Sequence, residues 1–181
     1  MKNLTFFSSL LITLILSSCG GKDDSPEPGQ EQVSFDIVFS GITVNANYEN
    51  VTPPNQTKQL TDVLSNVNKD KVSYVKTGSI QYNDSYITIE GLQTGESLAN
   101  LTVNLIDGQS TTTSFNMGKI DAGQDGNPVK DSSNNCMTFL NTVITNLASK
   151  KSITLKIVLN GGDKDVSNLK VTVHTTAVFN W

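Results

Sequence analysis

Few residues of this chain can do acid–base, nucleophilic or metal chemistry. His174 is the single histidine among 181 residues, which excludes a multi-histidine metal site. General-base work at His174 needs a nucleophile and an orienting acid brought to it by the fold. It stands between Val173 and Thr175 on the polar register of a long alternating segment, which reads as an ordinary exposed strand histidine. The most site-like stretch is Asp121-Ala122-Gly123-Gln124-Asp125-Gly126-Asn127, continuing to Asp131. Asp121, Asp125 and Gly126 match the first, fifth and sixth positions of a loop that wraps a hard cation. Gly123 and Ser132 occupy the third and twelfth, where oxygen ligands are required. The stretch therefore reads as a solvated turn, and so do Asp163 and Asp165 beside Gly161-Gly162. G-x-S-x-G, H-E-x-x-H, phosphate-cradling glycine and C-x-x-C patterns are absent. The expectation is no metal, no cofactor and no enzyme, with a hydrolase built on His174 as the catalytic alternative.

Aromatic residues offer another chemistry. Tyr74, Tyr82 and Tyr86 flank one expected hairpin and form a candidate sugar-stacking platform, although packing against a core explains them as well. The charge pattern narrows the ligand classes. All thirteen basic residues are Lys, which argues against planar bidentate recognition of phosphate or carboxylate, where Arg is favoured. A net charge of −4 weighs against sequence-independent nucleic-acid binding.

The two cysteines divide by position. Met1, Lys2 and Asn3 precede an uncharged run, Leu4 to Leu16, rich in Leu, Ile and Phe. The run is shorter than the roughly 20 residues a membrane span needs, so it reads as a cleaved export signal. It ends in Leu16-Ser17-Ser18-Cys19, which resembles the lipobox of bacterial lipoproteins. That resemblance implies cleavage between Ser18 and Cys19 and acylation of the Cys19 thiol. Two or more acyl chains are what stable anchoring takes, since each buried methylene adds about 0.8 kcal/mol. Residues 20–32 contain no apolar side chain and read as a flexible tether spanning on the order of 20 Å as a coil. Lys22-Asp23-Asp24 also resembles the surface-export signal of Bacteroidota lipoproteins, which implies an outer-membrane, outward-facing location. With Cys19 acylated, Cys136 has no partner in the chain and is expected to be buried and inert.

From Val33 onward the dominant period is two, the signature of strands. Phe35, Ile37 and Phe39 alternate with Ser34, Asp36 and Val38, and a second short stretch runs from Ile42 to Asn47. A strand over Val72 to Lys76 leads into Ser79 to Tyr82, with Asn83-Asp84 turning the chain into Tyr86 to Leu92. Leu101, Val103 and Leu105 form the next strand, and Gly108 turns it into Thr111 to Met117. Ile153 to Leu159 and the long segment from Leu169 to Trp181 are the clearest strands, joined by Gly161 to Asp165. Gln59 to Val67 and Thr138 to Ala148 instead carry apolar residues at helical spacing.

Seven or eight short strands with two short helical connections predict an all-β, immunoglobulin-like β-sandwich. The expected organisation is a signal peptide over 1–18, a lipidated Cys and tether over 19–32, and the sandwich over 33–181. The pattern also broadly resembles small Bacteroidota lipoproteins with a sandwich domain. The expected function is a lipid-anchored, surface-exposed, non-enzymatic binding, adhesion or accessory protein of the outer membrane, its partners the membrane and a protein or glycan ligand. The alternative is a glycan-binding accessory of a saccharide-uptake system.

Overall fold

Alternating strands need shelter for one face only, and two sheets laid face to face supply it. The computed structural model describes residues 29–47, 49–66 and 69–181. The signal segment, Leu16-Ser17-Ser18-Cys19 and the tether as far as Pro28 lie outside the described residues, as do Tyr48 and Val67. The strands in chain order are β1 (Gln30–Val44), β2 (Asn50–Val51), β3 (Gln56–Gln59), β4 (Thr77–Ile80), β5 (Tyr86–Glu90), β6 (Ser97–Asp107), β7 (Ser110–Asn116), β8 (Ile120–Asp121), β9 (Val129–Asp131), β10 (Ser152–Gly161) and β11 (Val166–Asn180). The helices are α1 (Leu60–Val63) and α2 (Asn134–Lys150), with 3-10 turns at Lys69–Tyr74, Tyr82–Asp84 and Gln124–Gly126.

The strands form two antiparallel sheets, the all-β sandwich predicted from their spacing. In the first sheet β1 pairs along one side of β11, from Gln30 opposite Asn180 to Val44 opposite Val166. On the other side β4 and then β5 follow one another along β11, and β9 closes the edge against β5. In the second sheet β10 lies between β6 and the broken pair β2 and β3, and β7 and β8 succeed each other beyond β6. Pro53 and Pro54 fall between β2 and β3, where two residues without an amide hydrogen cannot continue a ladder. Val171, Val173, Ala177 and Phe179 of β11 face Val103, Leu105, Ile157 and Leu159 of the second sheet in one continuous core.

Helix α2 closes the open side of the sandwich, packed against β4 and β5 of one sheet and β7 and β10 of the other. Phe139, Leu140, Val143, Ile144 and Leu147 form its buried stripe, at the spacing that predicted it. The Ser133 hydroxyl caps its start by accepting from the Cys136 amide at 3.3 Å. Lys151 ends it in the left-handed region, at φ 64°. The Lys151 ammonium donates to the carbonyls of Ala148 and Val75, which ties the helix end to the segment before β4. Desolvation by burial lowers the pKa of that ammonium.

Five expectations are corrected by these positions. Residues 30–32, placed in the tether by their polarity, are strand, because an edge ladder is held by backbone groups and needs no apolar side chain. The stretch after Ile42 is no second strand but the end of β1, carried past two register shifts and ending at Val44. Val72 to Lys76 is not a strand: Val72 and Val75 are both buried three residues apart, and Lys69–Tyr74 winds as a 3-10 helix. The segment before it winds as α-helix only over Leu60–Val63, though Leu60, Val63 and Leu64 are all buried as expected. The expected hairpin around Asn83-Asp84 is absent, since β4 and β5 both pair with β11. Across the interruption the Ser85 hydroxyl accepts from the Thr176 amide at 3.1 Å and donates to its carbonyl at 3.4 Å. A side chain there replaces a missing rung of the ladder.

Gly161 and Gly162 carry the chain from the second sheet to the first. A Cβ on Gly161 would lie 1.9 Å from the Asn45 carbonyl oxygen, so no other residue fits that crossing unchanged. The Asp165 carboxylate pins the same corner by accepting from the Ala46 amide at 2.6 Å.

Candidate functional site

Alternation along β11 sends Lys170, Thr172 and His174 outward, and the register chooses their neighbours. Asp36 of β1 and Tyr86 of β5 flank His174, Val38 and Thr88 flank Thr172, and Glu90 lies beside Lys170. Together with Pro128 these side chains line a groove of about 250 Å³ on the outer face of the first sheet.

One wall is a stack. The Asp36 carboxylate lies 2.5 Å from His174 Nδ1, which orients the imidazole. The imidazole in turn lies against the Tyr86 ring, centroids 4.7 Å apart at 21°. Lys130 Nζ sits 3.9 Å from the Tyr86 centroid. Since β5 runs between β11 and β9, His174 and Lys130 approach the ring from opposite sides. The opposite wall is the Lys170–Glu90 ion pair at 3.0 Å. At the floor, Thr172 is 8% exposed, and its hydroxyl is fully covered without a hydrogen-bond partner. Such an unpaired buried hydroxyl costs about 1–3 kcal/mol.

An Asp–His pair such as Asp36–His174 is also the arrangement that orients the base of a hydrolytic triad. Among the described residues no serine, threonine or cysteine is hydrogen-bonded to the imidazole, and the geometry supplies an oriented histidine.

The three tyrosines fall in three different elements. Tyr86 borders the groove with both ring faces occupied. Tyr82 is exposed in the turn between β4 and β5, and Tyr74 closes the 3-10 helix before β4. Four residues of β4 separate these turns, about 13 Å of strand. The platform was placed on a hairpin, and with β4 and β5 laid end to end along β11 that hairpin is not formed.

The acidic loops are employed structurally. Asp121 pairs with Lys119 at 2.7 Å, and Asp131 accepts from the Ser133 amide at 2.8 Å, just ahead of α2. Among the described residues no group of three His, Cys, Asp or Glu is placed to hold a metal ion. Cys136 is buried, and its thiol, pushed up to about 12 by burial and then by Asp131, remains protonated. Cys19 lies outside the described residues.

Two other depressions are as large as the groove or larger. One of about 380 Å³ lies between β7 and α2, and one of about 260 Å³ surrounds the Lys150–Asp107 pair. Neither holds a buried polar atom without a partner among the described residues. Sequence reading singled out His174 and Tyr86 but not Asp36, Glu90, Lys170 or Thr172. Alternation already placed Lys170 and Thr172 on the face of His174, whereas Asp36 is 138 residues away and only strand register brings it there.

No protein-family model matches the chain, and no curated protein does. Solved structures similar to it include viral ones. A structure of Desmodium yellow mottle tymovirus is 10% identical, with a TM-score of 0.42, over 97% of this chain and 95% of that one. A decameric BFDV capsid protein is 12% identical, with a TM-score of 0.38, over 84% and 99%. A nodavirus particle of the giant freshwater prawn Macrobrachium rosenbergii is 6% identical, with a TM-score of 0.36, over 98% and 94%.

Proposed function

We propose that this chain is a lipid-anchored protein of the bacterial outer membrane, displayed at the cell surface, which binds a ligand or partner without transforming it. The observation that carries the anchor is Leu16-Ser17-Ser18-Cys19 in register with the end of the uncharged run. The polar residues after Cys19 support a tether, and Lys22-Asp23-Asp24 supports outward display. An oriented histidine with no serine, threonine or cysteine hydrogen-bonded to it among the described residues favours binding over hydrolysis. The anchor is tested by metabolic labelling with a fatty-acid probe. Wild-type chain should take up the label and partition with membranes, and Cys19→Ser should do neither. A labelled or membrane-bound Cys19→Ser protein would refute the anchor. Protease shaving of intact cells tests display, which predicts loss of the sandwich from the surface.

A second reading, a glycan-binding accessory of a saccharide-uptake system, is favoured by the groove over Thr172. There hydroxyls, carboxylates and the edges of two rings meet, and that is the mixture polyhydroxylated ligands use.

A further inference from the structure

We propose that the groove above Thr172 holds one pyranose ring of a neutral glycan, whose hydroxyls are bound by Thr172, Glu90 and Asp36. This rests on the glycan-binding reading and keeps Tyr86 alone of the three tyrosines at the site.

Three observations carry it. The first is the Thr172 hydroxyl, more than nine-tenths buried and without a partner on the floor of the groove. A one-step rotation about its Cα–Cβ bond carries the hydroxyl into the position the methyl now holds, the methyl moving to that of the hydrogen, and turns the hydroxyl to whatever occupies the space. The second is the charge. Asp36 and Glu90 stand against Lys170 and His174, so a phosphate or carboxylate would meet two carboxylates, and an apolar ligand would strip water from all four groups. A neutral polyol does neither. Each carboxylate has one oxygen already engaged, by His174 or by Lys170, and retains lone pairs for sugar hydroxyls. The third is the size and lining of the space. About 250 Å³ fits a single ring rather than an extended chain, and Val38, Pro128 and the edge of the Tyr86–His174 stack offer surface to its C–H groups.

The test is retention of the full chain, solubilised in detergent, on a microarray of neutral glucans, mannans, galactans and xylans, with sialylated and sulfated glycans alongside. Wild-type protein should be retained on neutral glycans, and Thr172→Val, nearly identical in shape, should bind about tenfold more weakly while melting no earlier than wild type. Glu90→Gln, on the exposed rim, should weaken retention similarly and gives the readout if Thr172→Val fails to fold. Wild-type retention that neither substitution changes would overturn this site and leave the glycan-binding reading standing. Retention on acidic glycans only would overturn this site and leave the glycan-binding reading standing, and absence of wild-type retention would overturn both.

Discussion

The two outward faces of the sandwich are both polar, yet they treat their polar groups differently. On the second sheet the side chains bind one another. Asn160 Nδ2 donates to Asn50 Oδ1 at 2.6 Å, the Thr57 and Thr154 hydroxyls meet at 2.9 Å, and the Ser114 hydroxyl donates to Asn104 Oδ1 at 2.7 Å. Thr102 Oγ1 accepts from Asn100 Nδ2 at 3.1 Å and Asn116 Nδ2 at 3.4 Å. Only Asn100 Oδ1 is left over among the described residues, and Asn100 is half-buried. The first sheet instead gathers an ion pair, an oriented imidazole, a covered aromatic ring and a buried hydroxyl with no partner. Among the described residues each face thus keeps one covered polar atom without a partner. The first is open in that its own, Thr172 Oγ1, lies at the floor of a groove, and the second, whose neighbouring side chains bind one another, is closed by comparison. Strand alternation alone makes both polar, so polarity does not mark a site. An unspent buried group at the floor of a groove does.

The largest effect is expected in the interior the two faces share, and it sets the scale for the rest. The Cys136 thiol is raised from 9.0 to about 12 in the fold, so the unfolded chain loses this proton first as pH rises. The stability that the protonated thiol brings is intact below pH 9 and lost progressively towards pH 12, about 3 kcal/mol by pH 11. Urea denaturation of wild type and Cys136→Ala across that range should show a steeper alkaline decline in wild type. Parallel declines would mean the thiol is solvated.

Next comes Ser85, whose hydroxyl stands in for a missing rung of the first sheet. Ser85→Ala strands a buried amide of Thr176 and should cost about 1–3 kcal/mol in the same assay. A change under a few tenths would show that water bridges the gap. The matched pair Thr102→Val and Thr172→Val sharpens the comparison of the faces directly. Thr102→Val removes an acceptor shared by two amides and should destabilise by about 1 kcal/mol. Thr172→Val removes a buried hydroxyl with no partner and should raise stability by about 1 kcal/mol. Equal losses at both positions would break the distinction between an open and a closed face.

Much of this architecture can be read from residue order. Val171, Val173, Ala177 and Phe179 mark a strand buried on one side, and Phe139 through Leu147 mark a helix, because each pattern keeps its period over several turns or pleats. The segments that mislead are short. Val72 to Lys76 alternates for five residues, a length over which periods of two and three are hard to separate. Ser79 to Leu92 has the residues of a hairpin, yet β11 is long enough to pair with both halves, and strand length elsewhere in the chain is not a local signal. The groove shows the same limit. Lys170, Thr172 and His174 share a face by alternation alone, but Asp36, Val38, Tyr86 and Glu90 join them only through register across two ladders. No pattern in the sequence reveals that the Thr172 hydroxyl lacks a partner.

The open face is most directly tested by amide chemical-shift mapping of the full chain in detergent micelles during titration with a neutral oligosaccharide that the protein retains. Shifts should concentrate at residues 36–38, 86–90 and 170–174, and residues 100–104 and 154–160 should stay in place. Shifts centred on the second sheet, or at Tyr74 and Tyr82 with the groove silent, would contradict the account.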